Sequence, residues 1–170
     1  LILGYKIIGE RRYLEVAEKT LNFLIKHTFT PLDSKHLTGF KDVMYIPIGQ
    51  SGWFPKGGTR QYFDQQPEDT AATVEALDAM SQVTNGSTVL SSSTVLSSLP
   101  KGSPSKDREH YQELANIAFN WFLGDNVLGQ VVYDRTTGGC HDGVGEKFIN
   151  LNQGAESPIS YLSARLSFEK

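Results

Sequence analysis

At 170 residues, 39% hydrophobic and 21% charged, the chain has the size and composition of one globular domain. A net charge of −3 with scattered Lys and Arg excludes the clustered basic footprint of a nucleic-acid binder, and no apolar run approaches the roughly 20 residues that span a bilayer. One cysteine, Cys140, excludes an internal disulfide and a cysteine-based zinc site and suits a reducing compartment, so the chain is expected to be soluble and cytoplasmic.

Leu1 to Ile8 (LILGYKII) reads as the last turns of an apolar helix. With no initiator Met before it, the chain is expected to be a piece of a longer protein. After a tight turn at Gly9-Glu10, the spacing of Leu14, Ala17, Leu21 and Leu24 predicts a helix over Gly9 to His27. Pro67 suits the first turn of a second helix running to about Val83, with Ala72, Ala76, Met80 and Val83 as its stripe and Thr73 and Leu77 beside it. A third helix is predicted from about Asp107 to Leu123, with Tyr111, Leu114, Ala118 and Phe122 inward, and Gly124 placed to stop it. A fourth starts near Ala155, with Ile159, Leu162 and Leu166 inward. Between the second and third helices, STVLSS at Ser87 to Ser92 is repeated without change at Ser93 to Ser98, and two prolines and a glycine follow. This stretch, about 85–105, has little to bury and is expected to be a mobile insertion.

The connections alternate short and long. Thr28 to Asp64 and Gly124 to Gln153 are long, whereas Gly9-Glu10 is short, as is the turn the Ser-rich insertion interrupts. In a row of antiparallel helices every second connection lies at the same end, so both long loops are expected to share one working face. The rhythm predicts an all-α fold, an (α/α) toroid of helical hairpins. Four and a fraction helices are too few to close one. The chain, a single domain over 1–170, is therefore expected to be the C-terminal portion of an (α/α)6-type barrel.

The first long loop sets Trp53 near Gln50, and Tyr62 near Gln65 and Gln66. A sugar presents an apolar ring face and a rim of hydroxyls, which aromatic faces and Gln, Asn, Asp or Arg complement. The alternative is an aromatic loop packed under its neighbours, above all for Phe54 and Phe63. The second long loop concentrates His141, Asp142, Asn152 and Gln153 around turns permitted by Gly138, Gly139 and Gly143. Asp69 and Glu156 fall in the first turns of the second and fourth helices, at the long-loop end. Two carboxylates on one face could be the acid and base of glycoside hydrolysis; the alternative is that both only complement helix dipoles. Cys140-His141-Asp142 lacks metal-ligand spacing and a placed base for a nucleophile, and Gly138-Gly139 lacks the context of a phosphate loop. No metal and no cofactor is expected.

The stretches FDQQPEDTAATVEALDAM, FNWFLGDNVLGQVVYDRTTGGCHDGV and NLNQGAESPISYLSARL, covering Phe63 to Met80 and Phe119 to Leu166, resemble the α/α-toroid domain of bacterial and archaeal group 1 glycosyltransferase-like, mannosyltransferase-related proteins. The Ser-rich insertion departs from that family, which has a short turn there. In the family this domain often follows a nucleotide-sugar-using module, which has no counterpart here. The resemblance implies sugar chemistry and an N-terminal partner module in the same protein. The expected function is thus a carbohydrate-active, glycosyltransferase-associated domain. In it Asp69 and Glu156 would work as acid and base, and Gln65, Gln66, His141, Asp142, Asn152 and Gln153 would hold hydroxyls beside a Trp53 platform. Two rivals remain. One is a non-catalytic glycan-binding or scaffolding domain. The other is a sugar epimerase or isomerase, which usually wants paired histidines where this chain has only His27, His36, His110 and His141.

Overall fold

The computed structural model describes residues 1–32, 42–84 and 104–169. The Ser-rich repeat at Ser87 to Ser98, with the rest of 85–103, lies outside the described residues, and so does most of the expected insertion at about 85–105. The elements run α1 (Ile2–Ile8), α2 (Arg11–Thr28), β1 (Phe29–Pro31), β2 (Val43–Tyr45), α3 (Pro67–Val83), α4 (Pro104–Asn120), a 3-10 turn (Trp121–Leu123), β3 (Gly143–Val144), β4 (Ile149–Asn150) and α5 (Glu156–Leu166).

This overturns the expected all-α toroid. The described chain is mixed α/β, 51% helical and 9% strand, with five helices and two small antiparallel two-stranded sheets. One sheet pairs Phe29 with Tyr45 as α2 runs directly into β1; the other pairs Gly143 with Asn150 inside the second long loop. Strands of two or three residues are too short to show apolar alternation, so the sequence reads as loop there.

Gly9 ends α1 in the left-handed region (φ 77°), its N–H donating to the Tyr5 carbonyl at 2.8 Å. On α2 the buried stripe is Ala17, Leu21, Ile25 and Thr28; Thr28 sits inward because its hydroxyl donates to the Leu24 carbonyl at 2.7 Å. α3 is the central helix, packed against α4 and α5 and touched by α1 and α2. Gln66 leads into it in an extended conformation, Pro67 opens it, and Glu68 and Asp69 complement its positive end.

The phase of α3 differs from the predicted stripe. Ala72 is exposed, while Thr70, Thr73, Val74, Leu77 and Met80 are buried. The Thr73 hydroxyl can face inward because it donates to the Asp69 carbonyl (2.8 Å) and accepts from the Tyr45 hydroxyl (3.0 Å). On α4, Tyr111, Leu114 and Ala118 are buried, as is Phe122 just after it. Gly124, at φ 114°, ends this segment. On α5 the predicted inward residues face out: Ile159, Leu162 and Leu166 are 66%, 55% and 50% exposed, and Ser157, Ser160 and Ala164 are buried. The small residues let α5 lie close on α3, where Ser163 donates a hydrogen bond to Glu75. The core centres on Trp121, Tyr45, Tyr111, Phe29 and Phe122. Each contributes about 1.5–3 kcal/mol or more by leaving water.

Candidate functional site

The two long connections meet at a main-chain seam. Gln65 and Val144 exchange N–H···O bonds, each 2.9 Å, just before α3 begins. A Cβ on Gly143 would stand 2.6 Å from the Gln65 carbonyl oxygen, so only glycine admits this approach. One residue before that glycine, Asp142 Oδ1 accepts the Gly154 N–H (2.8 Å) and the Ser157 hydroxyl (2.6 Å), fixing the start of α5. Residues 142–144 therefore tie the N-terminus of α3 to the N-terminus of α5. The Ser163–Glu75 bond, about two turns further along both helices, keeps them side by side. The first-turn carboxylates Asp69 and Glu156 consequently lie at the same end of the molecule.

Asp69 is half-buried, and Gln50 Nε2 donates to its Oδ2 at 2.8 Å. Burial pushes its carboxyl above the ordinary value, the Gln50 bond opposing. The positive end of α3 also favours the charged form, but loss of water dominates. Glu156 is exposed at the first turn of α5. Trp53 is 91% exposed, an indole held out to solvent. Its neighbour Phe54 instead packs inward on the rings of Phe23 (5.9 Å) and His27 (5.0 Å).

The other predicted hydroxyl-holding groups are largely engaged with the protein itself. Gln65 is wholly buried. Its Oε1 accepts the Trp121 indole N–H at 2.8 Å, and its Nε2 donates to the Tyr62 carbonyl at 3.0 Å. A Gln so placed braces the core and touches no solvent. Gln66 caps α3 with its main chain, its carbonyl accepting from Thr70. Gln153 Oε1 accepts from Thr137 (3.0 Å) and its Nε2 donates to Asp134 (3.3 Å). Asn152 is exposed, its N–H bonded to Asn150 Oδ1 at 3.2 Å. His141 Nδ1 lies 3.2 Å from the Leu151 carbonyl. A carbonyl only accepts, so the proton belongs on Nδ1, and Nε2 is left as an acceptor in the neutral ring.

Sequence reasoning passed over Ser157 and Asp134, which organise this loop. The Thr136 hydroxyl and N–H, with Gln153, hold the Asp134 carboxyl well below the usual carboxylate range. Asp-x-Thr at 134–136 is the signal of such a turn. Burial, aided by the charge of Asp142, pushes the Cys140 thiol up to about 12, leaving negligible thiolate at neutral pH. Among the described residues, no group of three or more His, Cys, Asp or Glu is placed to hold a metal ion.

A cleft of about 400 Å³ opens beside the loop, lined by Leu123, Val131, Tyr133, Asp134, Arg135 and His141. Tyr133 is stacked on Tyr161, ring centroids 3.8 Å apart and 7° from parallel. Asp69, Glu156 and Trp53 do not line this cleft. The structure therefore separates the predicted residues into the carboxylates of the helix N-termini and, through His141, the cleft. Comparison with protein-family models, with curated proteins and with solved structures found no match to this chain.

Proposed function

We propose that the chain is a carbohydrate-active domain, associated with a glycosyltransferase, that acts on a glycosidic bond through Asp69 and Glu156. The observation that carries this reading is Asp69 itself. It is a half-buried carboxyl whose proton affinity is raised by burial, oriented by Gln50, at the end of the molecule that also bears Glu156. Glycoside chemistry needs two carboxyl groups in different environments, one retaining its proton and one ionised. Asp69 would give its proton to the departing glycosidic oxygen. Glu156 would activate water or attack the anomeric carbon, according to the separation of the two groups. A nucleotide-sugar-using module of the same protein would be the natural partner.

A second reading, non-catalytic glycan binding, is favoured by the outward indole of Trp53 and by the commitment of Gln65, Asp142 and Gln153 to internal bonds. Glu156→Gln in the full-length protein, assayed with oligosaccharides for products and by calorimetry for binding, separates the two. Acid-base catalysis predicts loss of turnover with binding retained. Turnover unchanged in the variant removes Glu156 from the chemistry, and turnover absent from both proteins favours the binding domain.

A further inference from the structure

We propose that the cleft between the 3-10 turn and the second long loop is a subsite for a carboxylate-bearing sugar, a uronic acid residue of a glycan. The proposal rests on the carbohydrate reading above and names the chemistry of its ligand. At about 400 Å³ the cleft falls in the range of small-molecule sites, roughly 300–1,000 Å³. Leu123 and Val131, both exposed, give it an apolar wall suited to the C–H face of a ring. Tyr133 has one face covered by Tyr161, so it offers the cleft its edge or second face and is held rigidly in doing so. His141, with Nδ1 turned to the Leu151 carbonyl, keeps Nε2 to accept a hydroxyl proton.

The charge comes from Arg135. Among the described residues no carboxylate lies within ion-pair distance of its guanidinium. Asp134, the other charged residue of the wall, is turned to different partners: Oδ1 accepts twice from Thr136 and Oδ2 accepts from Gln153. The cleft thus combines an apolar wall, a fixed aromatic, a hydroxyl acceptor and a guanidinium that forms no ion pair among the described residues. A guanidinium binds a carboxylate through two parallel N–H···O bonds. A neutral hexose would satisfy the wall and His141 but offer Arg135 only uncharged hydroxyl acceptors, a weaker bond than the paired contact with a carboxylate.

The test uses the full isotopically labelled chain titrated with methyl glucuronide, methyl glucoside and inorganic phosphate, followed by amide and side-chain NMR. The glucuronide should shift Tyr133, Arg135 and His141 and bind about tenfold more tightly than the glucoside, the factor expected of one charge-assisted bond. Arg135→Gln, at an exposed position, should erase that preference while weakening glucoside binding far less than glucuronide binding. Equal affinity for the two sugars, or a preference that survives Arg135→Gln, overturns the proposal. Phosphate binding as tightly as the glucuronide also overturns it, because recognition would then need no sugar. Trp53 fluorescence with a neutral oligosaccharide is read in parallel. A response there without glucuronide preference sinks the anionic subsite alone, whereas silence in both readouts removes the carbohydrate reading as well.

Discussion

The Trp121 indole N–H donates to Gln65 Oε1 across 2.8 Å inside the core, joining the residue before the cap of α3 to the turn that ends α4. Neither group has water to replace the other. Gln65→Leu would strand the buried indole donor, at about 1–3 kcal/mol for an unsatisfied group, and would also remove the donor to the part-buried Tyr62 carbonyl. We expect Gln65→Leu to lower unfolding free energy by about 2 kcal/mol or more, measured by urea denaturation. A loss under about 0.5 kcal/mol would mean that the bond does not brace the core.

Asp142 should behave as the anchor of α5. Asp142→Ala removes the acceptor for Gly154 and Ser157 and should cost about 1–2 kcal/mol, the scale of a lost helix cap. Asp142→Asn keeps a carbonyl oxygen and should cost less. Thermal melts of the two variants check the order; equal losses would point to charge rather than to the bonds.

Asp69 and His110 should tilt stability with pH in opposite directions. For Asp69 the folded state holds the proton more tightly than the unfolded chain. Stability is therefore greatest below 3.8, falls as pH rises through the raised folded value, and stays lower above it. Asp69→Asn should then match or exceed the parent in stability at pH 7 and lose that advantage near pH 3. Burial lowers His110 from 6.5 to about 4, so stability is full above 6.5 and lost as pH falls toward 4. A separation of that size amounts to about 3 kcal/mol. Urea midpoints at pH 7, 5 and 4 should show the decline in the parent and a flatter profile in His110→Asn. An identical decline in both would assign it to other groups.

The inverted face of α5 gives a paired test. Leu162→Ser should change stability by less than about 0.5 kcal/mol, since Leu162 is exposed. Ala164→Leu should cost about 1–3 kcal/mol by overpacking a fully buried position. The reverse ranking would restore the orientation that periodicity suggested.

That orientation shows where sequence reading succeeds and stops. On α4 and the 3-10 turn after it, the stripe Tyr111, Leu114, Ala118 and Phe122 is apolar and buried, so hydrocarbon spacing found it. On α3 and α5 the inward face carries Thr70, Thr73, Ser157 and Ser160. The hydroxyls of Thr70, Thr73 and Ser157 can be buried because the Gln66 and Asp69 carbonyls and the Asp142 carboxylate accept from them, and a count of apolar residues misses such faces. The common end of Asp69 and Glu156 was legible from loop lengths. The short strands were not, because their pairing is decided by partners far along the chain, such as Tyr45 for Phe29. For the same reason Gln65, read as an amide holding sugar hydroxyls beside Tyr62, belongs to the interior: its acceptor role depends on Trp121, which no local pattern links to it.

The seam at Gln65 and Val144 also bears on how the molecule opens. Each residue supplies the acceptor for the other's amide, so parting the two loops at this point frees both amide protons together. The two amides should exchange with deuterium at matching, slow rates, as one cooperative unit. The closure also joins segments that α3 and α4 separate along the chain, a contact with a high entropic barrier to formation. In refolding, protection at these two amides should therefore appear after that of the α4 helix.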